Sequence, residues 1–570
     1  MNNREEQIKP LDGTLTRLFF HVSQLYLYLF AVNILVVSIL FLLGATIKPY
    51  VLPLSFFLAV VALAVFYDEK INWRIIIEVI LGICVFVLAL YMASQILDFT
   101  YDGNAYHKLG IGLLNNGWNP IYEMPGKAST RIIGVDPSDN LWIETYGKAT
   151  WFFAASVYSM AGDIECGKAY TMLGMFCAFF LIRYYLKKKR KNKIICLAFP
   201  LAVALNPIAM AQVDTFYVDG YLHTMLFILV FALYARVDTE KVFTSKTSAS
   251  LIAASMIMLG NIKFTGLFYG GLFCIAYYVW ECTQGFKNRG RDYLKECCKS
   301  GVYYLAIAIV TIMLAGSSTY VTNTIRHGFP LYPLMGEGSI DIMTENSPFA
   351  EVNHFRNLFL SLFSRLDNFS IIDGKTVKLK IPFTVYSSEF DILGLCDARL
   401  SGFGVLFSGL LIISMIALLI ILVTAKKDQG FYLLMLNCLV CVGLTFGISE
   451  SWWARYSPYV YMFVLMGLFV ILNKDHTILL RCGGVIFALL ILINSCAYTY
   501  NLRSERGNSI EIKKNITNMS KENYVEVYTR FTGLYFNLRD KGVNYIINED
   551  LVDDLKAQKI GYKEFRWRKS

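Results

Sequence analysis

Charge is scarce in this sequence. Only 17% of its 570 residues are Asp, Glu, Lys or Arg, 56% are hydrophobic, and the mean hydropathy is +0.48. That balance excludes a soluble globular domain. Internal repeats and low-complexity tracts are also missing, which excludes solenoids and compositionally biased disordered chains. Metal-type cysteine pairs are absent. All of the 13 cysteines except Cys166, Cys396 and Cys496 fall in or beside apolar runs or on the basic side of the chain, so no disulfide framework is expected.

What is present is a series of long apolar runs. A helix is the open-chain structure that satisfies its own backbone in lipid, and crossing about 30 Å of hydrocarbon takes roughly 17 to 25 residues. Thirteen spans are expected, at 22–43, 51–67, 75–97, 167–186, 194–212, 220–236, 248–260, 263–281, 301–319, 402–424, 430–447, 458–472 and 478–498. The pair around "GNIKFTG" reads equally as one kinked helix over 248–281. The first run is too long, and too soon followed by another, for a cleaved signal peptide.

Basic residues set the orientation. "KKKRKNK" (187–193) and the 287–299 loop fall on the side of the N-terminus, whereas the short loops opposite hold Lys48, Lys263 and Arg455. The N-terminus is therefore expected in the cytoplasm, with loops 98–166 and 320–401 and the tail from 499 outside. The net charge of +10 reads as topology, and no nucleic-acid partner is expected. Within the first loop, "ATWFFAASVYSMAG" (149–162) is too short to span. An odd number of crossings must separate this loop from "KKKRKNK", which puts the piece along the membrane surface. In the tail, "YVEVYT" and "VNYIIN" alternate like strands, while "TGLYFNLRDKG" and "EDLVDDLKAQKIG" read as short helices. This α/β module is small enough to need docking on the body.

The polar residues at the membrane boundary carry the chemistry. "LDFTYDGNAYHKLG" places Asp98 and Asp102 four apart where a span ends, hence on one face if the helix runs on another turn. A partly desolvated carboxylate there suits a general base, although helix-end acids also simply cap. A second acidic cluster, "QVDTFYVDGYLH", brings Asp214 and Asp219 back to the same side, where hard cations prefer carboxylate oxygens. Lys263 at a helix break, Arg326 and His327 in "TNTIRHGFPLYP", and Arg455 in "SWWARYSP" supply cations on that side. Singly, such residues snorkel to headgroups; together they make an anion site able to hold a lipid-linked phosphate. Trp118, Trp142, Trp452, Trp453 and Tyr456 suit sugar stacking and an interface belt alike.

The stretches "DFTYDGNAYHKLGIGLLNNGWNP", "NPIAMAQVDTFYVDGYLH", "TNTIRHGFPLYP" and "SWWARYSP" together resemble the C-type (GT-C) integral-membrane glycosyltransferases, in the manner of bacterial members that use polyprenyl-phosphate sugars. The resemblance covers roughly 75–472. It implies an all-α polytopic membrane protein of about 13 transmembrane helices with a small C-terminal α/β extramembrane module. The domains would be 1–74, with two added helices; the body 75–498; and the module 499–570. The implied reaction is an inverting hexosyl transfer from a polyprenyl-phosphate sugar to an extracytoplasmic glycan, lipid or protein acceptor in the cell membrane. The family's first-loop catalytic aspartate matches Asp102 or Asp98. Asp102 is preferred because it lies beyond the span, but three residues separate the two acids where members often have adjacent ones, so both stay open. His107, Asp214, Asp219, Lys263, Arg326, His327 and Arg455 would bind substrate. Asp214 and Asp219 hold metal in some branches only, so a divalent cation, Mg or Mn, is an open cofactor. Two other classes fit the same frame: a lipid-linked sugar transporter or flippase, and a glycan polymerase or ligase.

Overall fold

The computed structural model describes residues 9–67, 73–341, 346–473, 478–554, 557–560 and 565–569. Helices occupy each of the thirteen expected segments, but thirteen crossings are not reproduced. Among the described residues, eight stretches are long and apolar enough to cross a membrane, and one of them, Phe264–Ala315, runs through two of the expected spans. Helices Val51–Val65, Ile195–Ala204 and Pro458–Asn473 are apolar but shorter. Segment 194–212, expected as one span, breaks into Ile195–Ala204 and Pro207–Gln212. The break is local chemistry: Pro207 has no N–H to donate, and Asn206 caps the second helix by accepting from the Ala209 N–H at 3.0 Å.

Of the two readings for 248–281, the structure has the broken one. Lys263, extended at φ −160° and ψ 152°, separates helix Ser245–Ile262 from helix Phe264–Arg289. Further on, helix Leu294–Ile309 widens into π-helical turns at Val310–Ala315 and Ser317–Val321. Such turns free backbone carbonyls, and the carbonyl of Thr311 accepts from Asn261 Nδ2 at 2.9 Å.

Helix Lys9–Leu42 runs through the core, packed against Val51–Val65, Ala169–Lys188 and Ser245–Ile262. Asn33 Nδ2 donates to both Ser55 Oγ and Ser156 Oγ at 3.1 Å, tying three helices together in an apolar interior. The third of these is Ala149–Ala161, the piece expected on the membrane surface. Its residues from Ala149 to Tyr158 are all buried by protein, so it is an interior helix. Its sequence is apolar all round, and a surface position would leave one apolar face in water.

The tail opens with helix Leu502–Met519, continuous with the apolar stretch before it. A four-stranded sheet follows in the order β2-β1-β4-β3, with β1 (Val525–Tyr528), β2 (Tyr545–Ile547), β3 (Gln558–Lys559) and β4 (Arg566–Lys569). β1 pairs parallel with β2 and antiparallel with β4. The segment expected as a helix at 549–561 is instead a single 3-10 turn, Glu549–Val552, leading to β3; residues 555, 556 and 561 lie outside the described part.

Helix Leu534–Asp540 docks the module on the first loop. Glu165 is gripped by Lys108 at 2.7 Å and Lys168 at 2.6 Å, with all three side chains fully buried. Asn537 completes the cluster, accepting from Lys108 Nζ at 3.0 Å and donating to Glu165 Oε1 at 2.9 Å. A buried charge cluster is stable only when every member is paired, so the module finishes a network that the body leaves incomplete.

Candidate active site

Five charged side chains from five separate segments meet at one end of the helical body. Arg455 stands at the centre. Its Nη2 lies 3.1 Å from Asp102 Oδ2, its Nη1 3.0 Å from Asp397 Oδ2, and its Nε 3.4 Å from Asp219 Oδ2. Lys263 Nζ holds the other oxygen of Asp219 at 2.7 Å. The guanidinium lies 5.0 Å from the Tyr217 ring, 5.2 Å from Trp453 and 4.9 Å from Tyr456, while Lys263 sits 4.0 Å over Tyr456. Both cations are thus compensated by acids on one side and ring faces on the other.

Local structure explains each position. Asp219 begins helix Asp219–Val237, whose second residue, Gly220, donates its N–H to Gln212 Oε1 at 2.7 Å. Lys263 reaches the cluster because the chain is extended there and not helical. The Arg455 carbonyl accepts from His223 Nε2 at 3.1 Å, which fixes the turn ahead of helix Pro458–Asn473. Asp397 is further held by Trp453 Nε1–H at 3.1 Å. Burial pushes its carboxyl up to about 6, against the pull of Arg455.

Asp102, Asp397, Lys263 and Arg455 line a cavity of about 1010 Å³, together with Tyr146, Trp142 and Trp453. Ile448 lines both this cavity and an apolar groove of about 330 Å³, which runs between helices Phe264–Arg289 and Gln429–Gly447 over Leu272, Gly443 and Gly447. The polar chamber and the apolar groove thus adjoin at Ile448.

The structure separates the other expected site residues from this chamber. Asp98 and Asp102 do not share a helix face, because the span ends at Ala93 and a new helix starts only at Tyr101. Asp98, fully buried in the link, accepts from the N–H of Thr100 at 2.7 Å and of Phe216 at 2.7 Å, so it ties the two acidic loops together. Gly103 passes so close that a Cβ there would collide with this carboxylate. His107 is buried and accepts from Trp151 Nε1 at 2.8 Å; burial holds its pKa down to about 3, so it stays neutral. Asp214 does not line the cavity, and burial raises its carboxyl while Lys168 opposes. Arg326 and His327 each pair with Glu144 at 3.2 Å, one residue before the cavity-lining Thr145; they brace the wall from behind. Trp118 is buried, donating to the Glu123 carbonyl at 2.9 Å, and Trp452 stacks on Trp453.

A shared cation site at Asp214 and Asp219 does not fit this arrangement, since Lys263 and Arg455 already engage both oxygens of Asp219. Among the described residues, no three of His, Cys, Asp and Glu are grouped to hold a metal ion. Asp397 went unnoticed in the sequence, yet it shows the same signal as Asp98: an acid just outside a span, in "CDARLSGFG".

No family model matches the chain, and no curated protein does. Among solved structures, ArnT from Cupriavidus metallidurans in the apo state is similar over 86% of this chain and 97% of its own, at 11% identity and a TM-score of 0.36. A likeness of that size says nothing about the chemistry, which has to come from the cavity itself.

Proposed function

We propose that the chain is a membrane glycosyltransferase of the GT-C kind, passing a sugar from a polyprenyl-phosphate donor to an acceptor hydroxyl at the extracytoplasmic face. The observation that carries this reading is the convergence of Asp102, Asp219 and Asp397 on Lys263 and Arg455 at a half-buried chamber that adjoins an apolar groove at Ile448. A sugar phosphate on an isoprenoid tail needs those three environments side by side: cations for the phosphate, carboxylate and aromatic groups for the sugar and acceptor, and hydrocarbon for the tail.

In the reaction, the acceptor oxygen attacks the anomeric carbon on the face opposite the phosphate. The bond from that carbon to the phosphate oxygen breaks, configuration inverts, and the acceptor proton passes to the Asp102 carboxylate. Polyprenyl phosphate departs with the bonding pair, its charge stabilised by Lys263 and Arg455. Asp102 is the better base because its side chain is 18% exposed and lines the cavity, whereas Asp98 is sealed in the link. Asp397 and Asp219 orient Arg455, and Trp142 and Trp453 offer ring faces to the sugar.

Purified protein in vesicles with a labelled polyprenyl-phosphate hexose and a hydroxyl acceptor tests the proposal. Consumption of donor with release of polyprenyl phosphate is expected. Donor that crosses the bilayer unconsumed would instead make the chain a transporter, and transfer of a preassembled glycan but not a single sugar would make it a polymerase or ligase.

A further inference from the structure

The second external loop carries an apolar face that the described residues leave largely exposed. Helix His354–Phe363 is apolar on two sides. Leu358 and Leu362 face inward, and Ser361 Oγ donates to the Trp452 carbonyl at 2.6 Å, which seats the helix on the turn before Arg455. On the opposite side Phe355 and Phe359, one turn apart, are 67% and 54% exposed. The segment "LKIPFTV" at 379–385 repeats this around a turn, in which the Thr384 N–H donates to the Ile381 carbonyl at 3.1 Å. Lys380 turns inward to Glu389 at 2.5 Å, while Leu379, Ile381, Phe383 and Val385 point out in alternation. A bridge between Ser364 and Leu379 joins the two elements.

This face continues the lipid-facing surfaces of two long apolar helices. The Phe355 ring stacks on Phe446 at 5.3 Å, in the last turn of helix Gln429–Gly447, whose outward side shows Leu439 and Val442. The Phe383 ring covers Gly409, in the first turn of helix Phe407–Thr424, whose outward side shows Ile416 and Leu419. Exposed Arg356, which pairs with Glu351 at 2.6 Å, and exposed Lys375 and Lys378 flank these elements, where long cationic side chains reach headgroups. An apolar patch with a basic rim, continuous with a lipid face, fits a membrane surface.

We propose that this loop is seated in the leaflet on the cavity's side, with Phe355, Phe359, Leu379, Ile381, Phe383 and Val385 dipping below the headgroups. The same loop supplies Cys396, Asp397 and Arg399 to the cavity wall, so its seating sets the chamber mouth at headgroup depth. This rests on the helices crossing a membrane and not on the transferase reading.

The test places p-benzoylphenylalanine at position 359 or, separately, 381 of the full chain, reconstituted in phosphatidylcholine and phosphatidylglycerol vesicles. Position 546 on the outer sheet strand β2, also exposed at 54%, is the control. After illumination, intact-protein mass spectrometry should find several-fold more phospholipid adduct at 359 and 381 than at 546. Equal adduct at all three positions, or crosslinks from 359 and 381 to a second protein chain in place of lipid, would overturn the proposal. Either result leaves donor consumption unaffected as a separate readout.

Discussion

Replacing Asp102 with Asn is the sharpest perturbation of the site. The amide keeps the volume and an oxygen for Arg455 Nη2, but it cannot take the acceptor proton. General-base catalysis contributes about 100- to 10,000-fold, so the barrier should rise by roughly 2.7 to 5.4 kcal/mol at about 1.36 kcal/mol per decade. Stability should change little. Arg455 keeps Asp219 at 3.4 Å and Asp397 at 3.0 Å, and the lost pair is partly exposed, worth under about 1 kcal/mol. Donor affinity should hold or tighten, because one acid fewer competes with the phosphate. The assay is kcat with labelled donor, run beside donor binding and thermal unfolding of the same preparation. Full transfer by a normally expressed Asp102→Asn protein would refute the assignment. Asp397→Asn provides the contrast: Trp453 Nε1–H still finds an oxygen, turnover falls less, and the inflection near pH 6 from the raised Asp397 carboxyl disappears from kcat/KM.

Arg455→Lys shortens the reach that serves three carboxylates at once; buried Asp219 keeps Lys263 at 2.7 Å, while Asp102 and Asp397 are partly exposed, so the melting temperature should fall only slightly and the main effect should be a raised KM for donor. Gly443→Leu and Gly447→Leu fill the groove without meeting protein, since a Cβ at either position has nothing within 4 Å; KM should rise for a long-chain donor and stay unchanged for a short, water-soluble analogue. Asp540, which accepts from the Tyr158 hydroxyl and from the Ile164 N–H at 2.9 Å, is pushed up to about 7 by burial. A carboxyl raised in the folded state favours folding below its unfolded pKa of about 3.9, and that contribution is lost as pH rises through 7. The module should therefore be more protease-sensitive at pH 8 than at pH 6, and Asp540→Asn should flatten that dependence.

Much of the site was legible because its members stand where apolar runs stop. Asp102, Asp219, Lys263 and Arg455 lie at such junctions on one side of the chain, and hydropathy shows each junction without any knowledge of packing. What stayed hidden depends on how the chain turns after leaving a span. The link through Asp98 is irregular, so four-residue spacing did not mean a shared face, and Asp98 became a tie between loops. Asp397 stands at the end of a long loop just before a span, the same kind of junction as the others, but nothing local says that it returns to Arg455. Arg326 and His327 open that same loop in the expected place, yet Glu144 draws them behind the wall. The interior course of Ala149–Ala161 was hidden for a different reason: its length, too short to span, points to the membrane surface, while its being apolar all round points to the interior.

The charge balance of the chamber bears on how the proposed reaction would cycle. Three carboxylates share two cations, so neither cation is buried unpaired, and the cluster avoids the heavy cost of isolated charge. An incoming phosphate must compete with acids that Arg455 and Lys263 already hold. In the proposed cycle Arg455 would shift its contact from Asp102 toward the phosphate, leaving an Asp102 oxygen to accept from the acceptor hydroxyl. When the lipid phosphate departs, the carboxylates recapture the cations, which favours release of a product otherwise held by the same groups that stabilised its formation. One arginine contacting both phosphate and base would thus couple donor binding to the availability of the Asp102 carboxylate. A lysine at position 455, a point charge without the fork, would keep part of the attraction and lose the coupling.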